Sequence, residues 1–172
     1  MAVSSNTTPL IGLAKIGRLK LLEQLYGAVV IPPKVKEECI DKGKAIGAPD
    51  AHEIEKAVQE GWIKTPALEG KWKTRVNNLM QRAPIGQGEA EAIVIAQEKK
   101  MPVILDDAEA RTVARSLNID FFGTAMVPYE AFVRGLISYA ELVTILTDLS
   151  KALWVSPTVI AELIRRAQEG RT

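Results

Sequence analysis

The chain has 172 residues, 47% of them hydrophobic and 25% charged, with a formal charge of +1. That balance is ordinary for a soluble globular protein and excludes a disordered chain, while the near-neutral total neither supports nor excludes a nucleic-acid partner. One cysteine, Cys39, excludes an internal disulfide, and one histidine, His52, excludes a zinc site built from His and Cys.

The start, MAVSSNTTP, has no basic region followed by an apolar stretch. No run of about 18 apolar residues occurs anywhere, so the expectation is a cytoplasmic protein with no membrane partner. Ala2 to Ser5 is a weak strand candidate, and Thr8 followed by Pro9 suits a helix N-cap and first turn, putting Asn6 and Thr7 at the strand's carboxyl end. Gly17 breaks that helix. Arg18 to Tyr26 resumes it, with Leu19, Leu22 and Leu25 at helical spacing, until Gly27. Ala28 to Ile31 is a β-branched run closed by Pro32 and Pro33 and reads as a second strand. Pro33 can open a third helix, through about Ile40. There Val35, Glu38 and Cys39 share a face, so Glu38 lies on an apolar stripe and needs a partner, while Glu37 and Asp41 turn toward water.

Asp50 to Gly61 is predicted as an amphipathic helix and Trp62 to Thr65 as a short strand or sheet edge. Lys71 to Arg82 holds Lys71, Lys73, Arg75 and Arg82 with no acid and reads as a solvated loop; RNA contact is the alternative. Gly88 opens the next helix, with Glu89 and Glu91 in its first turn and Ile93, Ile95 and Ala96 supplying apolar surface. Met101 to Leu105 is an apolar run too short for a helix. As a strand it ends at Asp106 and Asp107, where an open parallel α/β sheet binds its ligands. Carboxylates brought together there repel unless something positive sits between them, and a hard divalent cation is the usual solution.

Ala108 to Leu117 is a helix, Ile119 to Phe122 a further strand ending at Gly123 and Thr124, and Met126 to Arg134 a helix stopped by Gly135. Ser138 to Ala152 carries the stripe Leu142, Ile145, Leu146 and Leu149, and Ser156-Pro157 caps a last helix ending before Gly170. Strands alternating with helices imply βαβ units and a parallel sheet covered on both faces.

Each candidate also has an ordinary structural reading. Glu89 and Glu91 complement a helix dipole, and Glu91 is read as bonding back to the cap, whereas Glu89, on the face of Ile93 and Ala96, is read as a site residue. Asp107 can cap the helix from Ala108 as well as bind a ligand. Arg111, four residues on, either pairs with Asp107 or meets a phosphate. Thr7, Thr8 and Thr124 are read as turn and cap residues, His52 as a surface residue and Cys39 as a core residue.

Five segments, SNTTPLIGLAKIGRLKLLEQLYG, VVIPPKVKEEC, GEAEAIVIAQEKKMPVILDDAEARTVA, FFGT and WVSPTVIAELIRRAQE, resemble in order and spacing the PIN-domain proteins, in particular a prokaryotic branch grouped with toxin–antitoxin ribonucleases. The resemblance implies one domain over residues 1–172, with a core to about 137 and a helical C-terminal extension from about 138 to 172. It implies a three-layer α/β/α fold with a central parallel sheet of four or five strands. It further implies metal-dependent cleavage of RNA with Mg²⁺ or Mn²⁺, a small antitoxin as partner, and a homodimer. Carried over by position, the metal ligands are Asn6, Glu38, Glu89, Asp106 and Asp107, with Glu38, Glu89 and Asp107 as the catalytic acids. Apart from the resemblance, the candidate nucleic-acid contacts, on the alternative reading of the basic run and of Arg111, are Lys71, Lys73, Arg75 and Arg111. Asn6 departs from the family's usual Asp: its amide oxygen can ligate a hard cation but brings no charge. The alternative is therefore a PIN-fold module that binds RNA or a protein with little or no catalysis.

Overall fold

The computed structural model describes residues 2–68 and 70–170. Its strands are β1 (Val3–Ser5), β2 (Val29–Val30), β3 (Ile63–Lys64), β4 (Val103–Ile104) and β5 (Phe121–Phe122). All pairings are parallel, in the order β3-β2-β1-β4-β5. Ser4 of β1 is in register with Val30 of β2 on one side and Val103 of β4 on the other.

Alternation along the strands divides the core in two. Val29, Ile31 and Ile104 join Val3 and Ile63 on one face, while Val103 and Leu105 belong to a second cluster on the other. The first face is covered by α1 (Thr7–Lys15), α2 (Lys20–Tyr26) and the helical segment made of α3 (Pro33–Lys36), a π-helical stretch (Glu37–Lys42) and α4 (Gly43–Ala45), followed by α5 (Pro49–Gln59). The second face is covered by α6 (Lys71–Arg82), α7 (Gln87–Lys99) and α8 (Ala108–Ser116). The chain then returns to the first face with α9 (Met126–Val133), α10 (Tyr139–Ala152) and α11 (Pro157–Glu169). This is the three-layer α/β/α arrangement expected, with five strands. Among the described residues no helix is long and apolar enough to cross a membrane.

Helix α7 is the centre of the second layer. Residues Ala90 to Ala96 are all buried, as a helix packed on every side must be. It lies across β1, where Ser4 is small enough to admit it and donates its hydroxyl to the Ala92 carbonyl at 2.9 Å.

Four local expectations are corrected. The first helix begins at Thr7 with Asn6 as its N-cap, not at Thr8, and the Asn6 side chain makes no capping bond. The third helix runs past Ile40, because Glu37–Lys42 widens into π geometry and α4 continues it. Lys71 to Arg82 is a helix rather than a loop: Trp72, Val76, Leu79 and Ala83 form a stripe at helical spacing against α7. Finally, α7 starts at Gln87 with Gly86 as its cap, one residue earlier than expected.

Tyr26, 4% exposed, donates its hydroxyl to Glu130 on α9 at 2.6 Å. Burial first, and the Glu130 carboxylate second, hold its phenol well above the ordinary tyrosine value of 10.0. The unfolded chain releases this proton near pH 10 while the folded protein keeps it, so stability should decline as pH climbs past about 10. Alkaline denaturation followed by circular dichroism checks this: Tyr26→Phe should be less stable near neutrality yet show a shallower alkaline decline.

Candidate functional site

The parallel strands all end on one edge, and β1 and β4 lie side by side where the strand order reverses, which leaves a crevice beyond their carboxyl ends. Asn6 follows β1 directly, and Asp106 and Asp107 follow the last buried residue of the β4 run, Leu105. Two further acids enter from helices. Glu89 sits in the first turn of α7, and Glu38 lies at the start of the π-helical stretch. A Cβ on Gly88 would lie 3.3 Å from Val35 and 3.4 Å from the Glu38 carboxylate. Glycine there allows α7 to approach α3 and sets Glu38 opposite the α7 N-terminus.

Asn6 is 4% exposed, and its Oδ1 is buried without a hydrogen-bond partner. Leaving such an oxygen unsatisfied costs about 1–3 kcal/mol. Asn also favours the N-cap position it occupies, yet its oxygen does not cap α1. Glu89 accepts the Gly86 amide proton at 2.9 Å. Its carboxyl is held above the ordinary range, first by burial and then by the charges of Asp107 and Glu38, against the opposing pull of Gly86 and the Asn6 amide. Asn6, Glu38, Glu89 and Asp107 therefore share one electrostatic neighbourhood.

Each of these carboxylates also has a hydrogen-bond partner within the protein. Asp107 caps α8 by accepting from the Ala110 amide at 2.9 Å, the capping role foreseen as one of its two. Glu38 accepts from the Thr7 hydroxyl, so Thr7 positions an acid, a role its turn position alone did not indicate. Asp106 is turned elsewhere. Its two oxygens accept from the Thr124 amide, at 2.9 Å, and the Thr124 hydroxyl, and Arg111 lies 3.7 Å away. Arg111 also donates to the Leu105 carbonyl at 2.8 Å. Asp106 thus ties β4 to the turn after β5 and is not brought into the acidic neighbourhood.

Glu91 does not bond back to the cap of its own helix; with α7 starting at Gln87, that bond belongs to Glu89. Glu91 is 6% exposed and reaches across to α3, accepting from the Lys34 amide at 2.9 Å and from Gln87 at 2.8 Å. It fastens the α7 N-terminus to α3 and so holds Glu38 and Glu89 in register. The basic residues of α6 divide. Lys71 and Arg75 pair with Glu98, and Arg75 also bonds Gln97. Glu98 lies nine residues beyond Glu89, roughly 13 Å along the helix axis, so these two cations stand away from the cluster. Lys73, by contrast, lines a cavity of about 520 Å³ together with Pro33, Gln87 and Glu91, beside the same strand edge.

A family model for the PIN domain matches residues 2–169 of this sequence. The chain belongs to the PIN-domain family. Among solved structures this PIN domain is similar to a PilT N-terminus domain protein from the hyperthermophilic archaeon Sulfolobus solfataricus P2, at 18% identity, covering 74% of this chain and 90% of that one, with a TM-score of 0.49. Comparison with the curated proteins gives no match. PIN domains are generally nucleases and typically use divalent metals.

The donor chemistry of this PIN domain fits such an ion. Its candidate ligands are hard oxygens, the preference of Mg²⁺ and Mn²⁺. The decisive detail is the buried Asn6 oxygen, which has no hydrogen-bond partner, on a side chain whose amide meets Glu89, a carboxyl held above the ordinary range first by burial and then by the charges of Asp107 and Glu38. Among the described residues, however, no three His, Cys, Asp or Glu side chains converge closely enough to grip an ion as they stand. Their arms are spent on Gly86, Ala110 and Thr7.

Proposed function

We propose that this PIN domain is a metal-dependent endoribonuclease in which Asn6, Glu38, Glu89 and Asp107 hold Mg²⁺ or Mn²⁺ and hydrolyse RNA phosphodiesters. The observation that carries the reading is Asn6, 4% exposed at the crevice between β1 and β4, with its oxygen unpartnered and its amide beside Glu89, whose carboxyl also meets the charges of Asp107 and Glu38. When bound, the ion supplies a water of lowered pKa and stabilises charge on the phosphoryl oxygens. The chain's own residues do the rest. Glu89, from the first turn of α7, and Asp107, at the start of α8, supply negative charge. Thr7 keeps Glu38 aimed inward. Glu91 stops α7 from drifting off α3, and Arg111, only loosely paired with Asp106 at 3.7 Å, has donors free for a phosphate. The resemblance to toxin ribonucleases extends the reading to the toxin of a toxin–antitoxin pair, cytoplasmic, with a small antitoxin protein and a second copy of the chain as partners.

A second reading has one observation in its favour. With a neutral amide at position 6 and no ready-made three-acid cage among the described residues, the same fold would serve as a module that binds RNA or a partner protein without cutting. Purified protein incubated with structured RNA and Mn²⁺ separates the two. The nuclease reading expects cleavage that EDTA stops and that Asp107→Asn abolishes. Equal traces of cleavage in wild type and variant would be contamination and would favour the binding module.

A further inference from the structure

Beside the acidic crevice, on the β4–β5 side, lies a groove of about 580 Å³ lined by Asp106, Arg111, Phe122, Met126, Trp154 and Val159. Trp154 is fully exposed, although an indole is among the most costly groups to leave in water. The cause is local and geometric. The link from α10 to α11 is extended at Leu153, with φ −129° and ψ 155°, so successive side chains point to opposite sides. Leu153 and Val155 pack into the core, Leu153 against Gly12 of α1, where a Cβ would collide with it. Trp154 is thereby directed outward over the groove, and no ring or cation within the described residues stacks on it.

Resting on the nuclease reading, we infer that this groove receives one nucleotide of single-stranded RNA next to the scissile phosphate, its base stacked on Trp154 and its phosphate against Arg111. The combination of a flat aromatic face, a partly free guanidinium and an apolar floor is the chemistry that single-stranded nucleic acid uses for sequence-tolerant binding. Continuity with the crevice supports the assignment. Asp106, whose neighbour Asp107 faces Glu89, also lines the groove and holds the wall between the two through Thr124. A duplex would keep its bases stacked on each other and out of reach of the indole. The groove therefore selects unpaired RNA and places its backbone across the acids.

The test uses the full chain in EDTA, with a fluorescein-labelled single-stranded oligoribonucleotide and its abasic ribose-phosphate counterpart followed by anisotropy. Trp154→Ala should weaken binding of the base-bearing oligomer by about 5- to 100-fold, the range that stacking of one base supplies. Trp154→Phe should retain most of the affinity, and the abasic oligomer should bind all three proteins alike. The inference is overturned if wild type fails to bind, if Trp154→Ala binds as wild type does, or if it merely converts a sedimenting dimer to a monomer with RNA affinity unchanged. The two proposals fail separately. Metal-dependent cleavage with binding indifferent to Trp154 removes the groove and keeps the nuclease, whereas Trp154-dependent binding without metal-dependent cleavage does the reverse.

Discussion

Glu89→Gln should lose Mn²⁺-dependent RNA cleavage by about two orders of magnitude or more, the scale of removing a charged ligand from a divalent-metal site. The same substitution should raise the melting temperature of the metal-free protein. Both effects have one origin. The wild-type carboxylate is partly buried and faces the charges of Asp107 and Glu38, which hold its proton affinity above the ordinary range. Glutamine removes that repulsion and keeps an oxygen for the Gly86 amide, so the start of α7 remains capped. Differential scanning fluorimetry with and without Mn²⁺ reads the trade directly: wild type should gain stability from the ion, and Glu89→Gln should gain little. A variant that cuts RNA normally, or whose ion-induced stabilisation matches wild type, would remove Glu89 from the site.

Asn6→Asp should have the opposite signature. It places a negative charge at a position 4% exposed, beside Glu89, and a buried like-charge contact costs on the order of a few kcal/mol. The metal-free protein should therefore melt lower. A cation offsets that penalty, so Mn²⁺ affinity by calorimetry should increase tenfold or more, and ion-induced stabilisation should exceed that of wild type. The Asn6 oxygen is buried, has no partner and does not cap α1, so no existing bond is lost when it turns to an ion. Unchanged Mn²⁺ affinity would mean that position 6 does not face the metal.

Much of the architecture was legible because it follows from periodicity and punctuation. Leu142, Ile145, Leu146 and Leu149 announced the buried face of α10, the short apolar runs announced strands, and Gly27, with φ 70°, ended α2 where expected. The helix α6 was missed although Trp72, Val76 and Leu79 carry its spacing, because four basic residues and two asparagines dilute the stripe. Trp154 offered no signal at all as a residue of interest, since its exposure depends on Leu153 and Val155 being drawn inward.

Within the site, the sequence by itself put Glu89 at a helix start and Asp106 and Asp107 at a strand end, because those are local features that patterning reveals; Glu38 as a site acid rested on the family resemblance. What each acid does there was decided by tertiary structure. Asp106 and Asp107 are adjacent and alike in sequence, yet Thr124, brought beside them by the pairing of β4 with β5, claims the first and leaves the second facing Glu89. Glu89 and Glu91 are two residues apart, yet one caps its own helix and the other reaches α3. A carboxylate's role depends on which donor comes within about 3 Å of it, and those donors lie 18 and 57 residues away in the chain, where no local pattern can register them.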